Sequence, residues 1–319
     1  MWSCWSDQES ATTRPPPPSA FRPSRGASLE INSAAEFVQL TRGALAAAGF
    51  ARREIDGTVY FDTDVIPSVS EGPGWVGQRS AHPPAQVPRS ARDDKTIVLV
   101  HGVNDHAGTW FAIAPTLAKT HRVILPDLPG HGESAPKDGP LPISLMVSQL
   151  DRVVRASGAP LITLLGNSMG GWIAMLYTLA HPTRVERLIL ESSGGLALSL
   201  ASPVVATNRD EAMVILRNVH GPHYQPQEWV IDALLQRATS SPMLRVSEMI
   251  EHLVDARLGD ITVPTTILWG ADDGVVPRSY AEALRDGIAN AKMHVIEGAA
   301  HIPHLQQPER FLQCLTSTC

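Results

Sequence analysis

The sequence predicts an α/β protein: a mostly parallel central sheet with helices on both faces and a helical insertion late in the chain. Three observations predict it. From Thr96 onward, short continuously apolar runs alternate with segments of helical periodicity, the pattern of strands covered on both faces. One such run, Leu161 to Leu165, ends in Gly166-Asn167-Ser168-Met169-Gly170-Gly171 and passes into a helical pattern from Trp172 to Ala180. Residues 195–259 then interrupt the alternation with mostly helical pattern.

Taken in order, residues 1–30 are Ser-, Pro- and Arg-rich and read as a disordered tail. Ala34 to Ala48 reads as a helix stopped by Gly49. Phe50 to Asp56 and Thr58 to Thr63 read as a hairpin turning at Asp56-Gly57. Residues 65–93, rich in Pro, Gly and Ser, form a long connection. Six apolar strands are expected: Thr96 to Val100, Arg122 to Leu125, the run ending before Ser168, Leu188 to Leu190, Thr265 to Trp269, and Met293 to Ile296. Helices are expected between them at Phe111 to Lys119, Ile143 to Ala156 and Tyr280 to Ile288. The insertion holds Leu196 to Leu200, Arg209 to Asn218, a turn at Gly221-Pro222-His223-Tyr224, and Glu228 to Ala238. The expected organisation is a tail (1–30), a core in two parts (31–194 and 260–319), and a helical cap (195–259).

Composition narrows the function. The chain has 319 residues, 43% apolar and 18% charged, enough for one large domain or two small ones, and α/β folds often use such a length as one. A net charge of −6 carries no basic surplus, which argues against nucleic acid as a partner. No apolar run reaches the length of a membrane span, and no secretory signal opens the chain, so a cytoplasmic location is expected. Cys4, Cys314 and Cys319 lie at the two ends and read as free thiols, without metal-ligand spacing. No metal and no organic cofactor are expected. The oligomeric state is not legible.

The chemistry gathers around Ser168. Gly166 and Gly170, two residues before and after it, remove the Cβ atoms that would collide in a sharp strand-to-helix turn. Such an elbow presents Ser168 Oγ beside the first amides of the next helix, led by that of Met169, which suit an oxyanion. A serine there could equally be a helix N-cap, so partners must be found. Ligands in parallel sheets bind at the carboxyl ends of strands. His301 follows the sixth strand at that edge and is the strongest base among twelve histidines, with His304 structural. Its carboxylate partner is Asp272 or Asp273, after the fifth strand, or Glu191, ending the fourth. Spacing alone does not choose.

From about residue 95 to 312 the chain resembles the α/β-hydrolase superfamily. The resemblance rests on five motifs in order: His101-Gly102, Asp127 to Ser134, Gly166 to Gly170, Gly270 to Asp273, and His301-Ile302-Pro303-His304-Leu305 followed by Pro308. It implies the α/β-hydrolase fold and a triad of Ser168, Asp273 and His301. It also implies an oxyanion hole from the amides of Val103 and Met169, and a structural role for Asp127 and His131. A serine at the elbow argues against the dehalogenases and epoxide hydrolases that attack with aspartate.

The expected function is hydrolysis of a small carboxylic ester, of short to medium acyl chain, through an acyl-enzyme. Substrate contacts are expected from His101, Gly102, Asn104, Asn167, Leu196 and Leu198. Leu200, Val204 and Val205 are expected to extend an apolar acyl pocket. Two alternatives stand beside it. Gly166 to Gly171 and Ser193-Gly194-Gly195 resemble carbon–carbon bond hydrolases of the meta-cleavage type, whereas Val103-Asn104-Asp105 and the lack of a tryptophan after His301 depart from them. A catalytically silent small-molecule receptor on the same scaffold is the other.

Overall fold

A single sheet of eight strands organises the chain, and its pattern of burial explains why the strands read as unbroken apolar runs. The computed structural model describes residues 31–63, 95–202 and 205–316. The expected tail, the connection at 65–93, Val204, Cys4 and Cys319 lie outside the described residues. Helix α1 (Ala34–Ala47) starts at Ser33, whose Oγ accepts the Glu36 amide at 3.2 Å, while the Glu36 carboxylate takes the Asn32 amide at 2.8 Å. The hairpin follows as β1 (Ala51–Ile55) and β2 (Thr58–Asp62). Its two turn residues, Asp56 and Gly57, both take positive φ, 46° and 77°, as a tight two-residue turn requires.

Next come β3 (Thr96–Val100), a 3-10 turn (Ala107–Ala112), the short α2 (Ala114–Leu117) and β4 (Arg122–Pro126). The single helix expected over Phe111 to Lys119 is therefore broken in two. Pro115 has no amide hydrogen for the Phe111 carbonyl, and its ring would press on that carbonyl. The chain instead makes tighter bonds, Ile113 N to Trp110 O at 3.1 Å and Thr116 N to Ile113 O at 3.0 Å.

The rest is β5 (Leu141–Pro142), α3 (Ile143–Ser157), β6 (Ile162–Asn167), α4 (Met169–Ala180), β7 (Val185–Glu191), α5 (Arg209–His220), α6 (Glu228–Gln236), β8 (Val246–Ser247), β9 (Thr265–Gly270), α7 (Arg278–Gly287), β10 (Ala291–Ile296), α8 (Pro303–Gln306) and α9 (Pro308–Thr316). The large sheet has the order β1-β2-β4-β3-β6-β7-β9-β10. β2 is antiparallel to both β1 and β4, and the remaining pairs are parallel. β5 and β8 form a separate two-stranded parallel pair.

Alternate residues of the central strands feed two cores. Val98, Val100, Leu164, Leu188 and Ile267 pack with Leu150 of α3, Ile173 of α4 and Leu284 of α7 on one face. Ile97, Leu99, Leu165, Ile189 and Leu268 pack with Leu45 of α1, Trp110 and Phe311 of α9 on the other. Among the described residues no helix is long and apolar enough to cross a membrane.

Between β7 and β9 the chain leaves the sheet. There α5 and α6 join through Ala212, Ile215, Leu216 and Ile231. Leu196 to Leu200 are not helical, contrary to expectation, because side chains satisfy their backbone groups. Tyr280 Oη lies 3.0 Å from the Leu196 carbonyl and also against that of Leu198, and the Asp255 carboxylate takes the Ala197 amide at 3.0 Å. Gly195, at φ 106°, turns the chain into this path.

Two glycine substitutions check this packing. A Cβ on Gly170 would overlap the carbonyls of Val100 and His101, whereas one on Gly43, exposed in α1, would meet nothing within 4 Å. Thermal unfolding of Gly170→Ala should show a loss of several kcal/mol or no soluble protein. Gly43→Ala should gain about 0.5–1 kcal/mol from helix propensity. Equal small effects would contradict the close approach of α4 to β3.

Candidate active site

The turn from β6 to α4 holds Ser168 at φ 54° and ψ −119°, a left-handed conformation costing about 1–3 kcal/mol for a residue with a side chain. Neighbouring bonds fix it there. The Ser168 amide donates to the Glu191 carbonyl at 2.9 Å, and the Ser168 carbonyl accepts from Gly171 and Gly194 at 3.0 and 3.1 Å. A Cβ on Gly166 would overlap the Gly170 carbonyl, so that position must be bare for the turn to close.

Asp273 stands in the loop after β9, and its Oδ1 accepts the amides of Val275 at 2.9 Å and Val276 at 3.0 Å. His301 Nδ1 faces both carboxylate oxygens, at 3.1 and 3.0 Å. Their side chains are 1% and 8% exposed, a buried pair in which the amides stabilise the charged carboxylate. With Nδ1 donating to Asp273, Nε2 of the neutral ring is left as a proton acceptor. The His301 backbone is tied at both ends, its amide to Val219 O at 3.0 Å and its carbonyl to Asn167 Nδ2 at 3.1 Å. No hydrogen bond joins Ser168 Oγ to His301 among the described residues. Such contacts commonly tighten only once substrate is bound.

The other two carboxylates left open by spacing go elsewhere. Asp272 is exposed. Glu191 is fully buried against His304, whose Nδ1 lies 2.9 Å from both Glu191 oxygens and whose amide donates to Oε1 at 2.8 Å. His304 Nε2 meets Thr109 Oγ1 at 3.1 Å, so the ring is committed on both sides.

His101 corrects an expectation. Its ring is fully buried, with Nδ1 on the Gly102 carbonyl at 2.7 Å and Nε2 accepting the Leu128 amide at 3.0 Å, and it does not face the cavity. It joins the loop after β3 to the turn after β4. In that turn Asp127 is fully buried, accepting the amides of Ala107 at 2.6 Å and Glu133 at 2.8 Å and pairing with Arg42 at 3.3 Å. His131 sits beside His101 with ring centroids 5.4 Å apart and places Nδ1 2.9 Å from the Pro129 carbonyl.

A cavity of about 470 Å3 gathers the rest. Ser168, Met169, Val103 and His301 line it, as do Gly102, Asn104, Asn167, Leu196, Leu198 and Leu200. Val205 does not. The remaining walls escaped sequence reading: Trp172 from α4, Ile215 and Leu216 from α5, Val275, Tyr280, and Phe37 from α1. No motif marks them, because they are ordinary apolar residues of helices and of the loop after β9 that happen to face inward. Among the described residues the carboxylate and guanidinium groups of the lining are those of Asp105 and Arg237. His220, also in the wall, has its pKa pushed down to about 4 chiefly by burial and is neutral at neutral pH.

A sequence profile described as the alpha/beta hydrolase family matches residues 97–313, most of the chain and every residue named at the site except Arg42 and Phe37. The chain belongs to the α/β-hydrolase family. A 2-hydroxy-6-oxononadienedioate/2-hydroxy-6-oxononatrienedioate hydrolase of Cupriavidus pinatubonensis is 29% identical to this α/β hydrolase over 243 residues, covering 68% of this chain and 84% of the relative. Crystal structures of a membrane phospholipase A, described as a bacterial virulence factor, and of a putative lipase from Acinetobacter baumannii share its fold. The first has a TM-score of 0.68 at 21% identity, covering 88% of this chain and 91% of the other. The second has a TM-score of 0.66 at 21% identity, covering 90% and 96%.

The buried histidine of the β4 turn gives a pH prediction. Burial pushes the His131 pKa down to about 3, against about 6.5 for a free imidazole. Between those values the unfolded chain binds a proton that the folded chain refuses, so stability falls as pH drops through that window. The thermal midpoint of His131→Asn should therefore fall less steeply than that of the wild type between about pH 7 and pH 4.5. Parallel slopes would contradict the buried neutral ring.

Proposed function

We propose that this protein hydrolyses carboxylic esters through an acyl-enzyme on Ser168, with His301 as base and then acid and Asp273 orienting it. The observation that carries the reading is the buried pair of Asp273 and His301, whose histidine borders the cavity that Ser168 also lines. Ser168 Oγ attacks the ester carbonyl carbon while His301 Nε2 takes its proton. The tetrahedral intermediate collapses as the carbon–oxygen bond to the alcohol breaks, and His301 returns the proton to the departing alkoxide. Water, activated in the same way, then attacks the acyl-serine and frees the acid.

The amides of Val103 and Met169 are the oxyanion donors in this reading. Both residues line the cavity, and among the described residues neither amide is taken up by a protein acceptor. Each such donor contributes about 3–4 kcal/mol to the transition state. The apolar lining from Trp172, Leu196, Leu198 and Leu200 favours a hydrocarbon acyl chain, and a volume of about 470 Å3 favours short or medium chains. The helical segment between β7 and β9 acts as the cap that supplies much of this wall.

One observation favours a second reading, carbon–carbon bond hydrolysis. The relative from Cupriavidus pinatubonensis is named for a dienedioate, a substrate with two carboxylates. Arg237 is the basic group of the lining, and its Nη1 already donates to the Asn104 carbonyl at 2.9 Å. One engaged arginine, in a lining that also carries Asp105, is weak provision for a dianion, so the ester reading stands first.

A folded Ser168→Ala protein should lose ester turnover by about four or more powers of ten. Asp273→Asn should lose about 10⁴-fold, because the amide cannot hold His301 in the required tautomer, while Asp272→Asn stays within a few-fold of wild type. Rates on p-nitrophenyl esters from acetate to palmitate, with a meta-cleavage dienoate alongside, check both. Near-wild-type turnover by Ser168→Ala would overturn the mechanism. Cleavage of the dienoate with negligible ester turnover would select the second reading.

A further inference from the structure

Helix α1 precedes the stretch matched by the family, yet Phe37 from its second turn lines the same cavity as Ser168 and His301. The helix is a fixed wall. Thr41 and Leu45 are fully buried, and Arg42 pairs with the fully buried Asp127 at 3.3 Å and with Glu133. The Arg42 guanidinium also lies over the Phe61 ring, 5.8 Å from its centroid. α1 packs on the 3-10 turn Ala107–Ala112, and that turn packs on α8, which begins two residues after His301. α1 also meets α6. Phe37, Thr109, Leu234, Ile302 and Leu305 thus come from one contiguous group of elements, and all of them face the cavity.

The chemistry says which part of an ester belongs against that wall. In the acyl-enzyme route the acyl group stays bonded to Ser168 Oγ, while the alcohol oxygen receives its proton from His301 Nε2 as the carbon–oxygen bond breaks. The alcohol portion must therefore lie on the His301 side, which is the side that α8, the 3-10 turn and α1 build. Resting on the ester-hydrolase reading above, we propose that α1 completes an alcohol-side subsite in which Phe37 determines specificity, and that the subsite takes apolar alkyl or aryl alcohols. The flat Phe37 ring, with Leu234, Ile302 and Leu305 lining the same cavity, offers mainly hydrocarbon contact.

The test varies the two halves of the ester separately in the wild type, Phe37→Ala and Phe37→Leu. One series holds the acyl group as acetate and enlarges the alcohol from ethyl through benzyl to naphthylmethyl. The other holds p-nitrophenol and lengthens the acyl chain. Phe37→Ala should shift the ratio of kcat/KM for the naphthylmethyl ester over the ethyl ester about tenfold toward the larger alcohol, with a smaller shift in Phe37→Leu. The order of preference along the acyl series should be kept. The Leu variant, which retains most of the side-chain volume, reports the effect if the Ala variant unfolds. An unchanged alcohol ratio would overturn the subsite, as would equal changes in both series or uniform losses that track the thermal midpoint. Wild-type turnover of these esters with an unchanged ratio defeats this inference alone, whereas no turnover of any ester by the wild type defeats the ester reading and the subsite with it.

Discussion

The constraint on which the structure depends is the left-handed backbone of Ser168. A residue with a side chain at φ 54° is held there only because its surroundings leave no other path. β6 must end and α4 begin within one residue, and Gly166, Gly170 and Gly171 let that turn lie against the strand ends on both sides. A Cβ at these positions would meet the Gly170 carbonyl, the Val100 and His101 carbonyls, and Ser193 Oγ respectively. The parallel run of the strands brings the loops after β3, β7, β9 and β10 to this same edge of the sheet. Ser168, Val103, Asp273 and His301, distant in sequence, come to that edge because β3, β6, β9 and β10 run parallel in one sheet, with β7 between β6 and β9.

Two buried histidine–carboxylate pairs share this edge and are kept apart. Asp273 pairs with His301 and Glu191 with His304, only three residues further on. Each carboxylate also accepts backbone amides, which compensates the cost of burying its charge. The difference lies in the far side of each ring. His304 Nε2 ends on Thr109, which leaves it no acceptor for chemistry, while His301 borders the cavity. One pair fastens the start of α8 to the end of β7, and the other stands at the cavity through His301.

The strands were legible because burial on both faces demands unbroken apolar runs, and the hairpin because Asp56-Gly57 suits a two-residue turn. His301 and the elbow were legible for a related reason, since glycine spacing and position at a strand end are written locally. The choice between Asp272 and Asp273 was not written in spacing, as it depends on which side chain turns inward from one loop. Pro115 was visible in the sequence, and its broken helix was readable with more weight on the missing amide. Leu196 to Leu200 misled because their apolar spacing suits a helix, while Tyr280 and Asp255, far along the chain, claim their backbone groups. His101 misled in the opposite way, adjacent to the site in sequence but turned inward to hold a loop. Phe37 carried no signal at all, because its place in the wall follows from how α1 is anchored through Arg42.

In the proposed mechanism the attacking oxygen is Ser168 Oγ. Treating the protein with an alkyl fluorophosphonate and locating the adduct by peptide mass spectrometry tests it most directly, since the reagent is an electrophile that records which oxygen attacks. The account predicts one adduct, on Ser168, formed rapidly in the wild type, far more slowly in Asp273→Asn, and not at all in Ser168→Ala. Equal labelling of Ser168→Ala, or an adduct on another residue of the wild type, would contradict it.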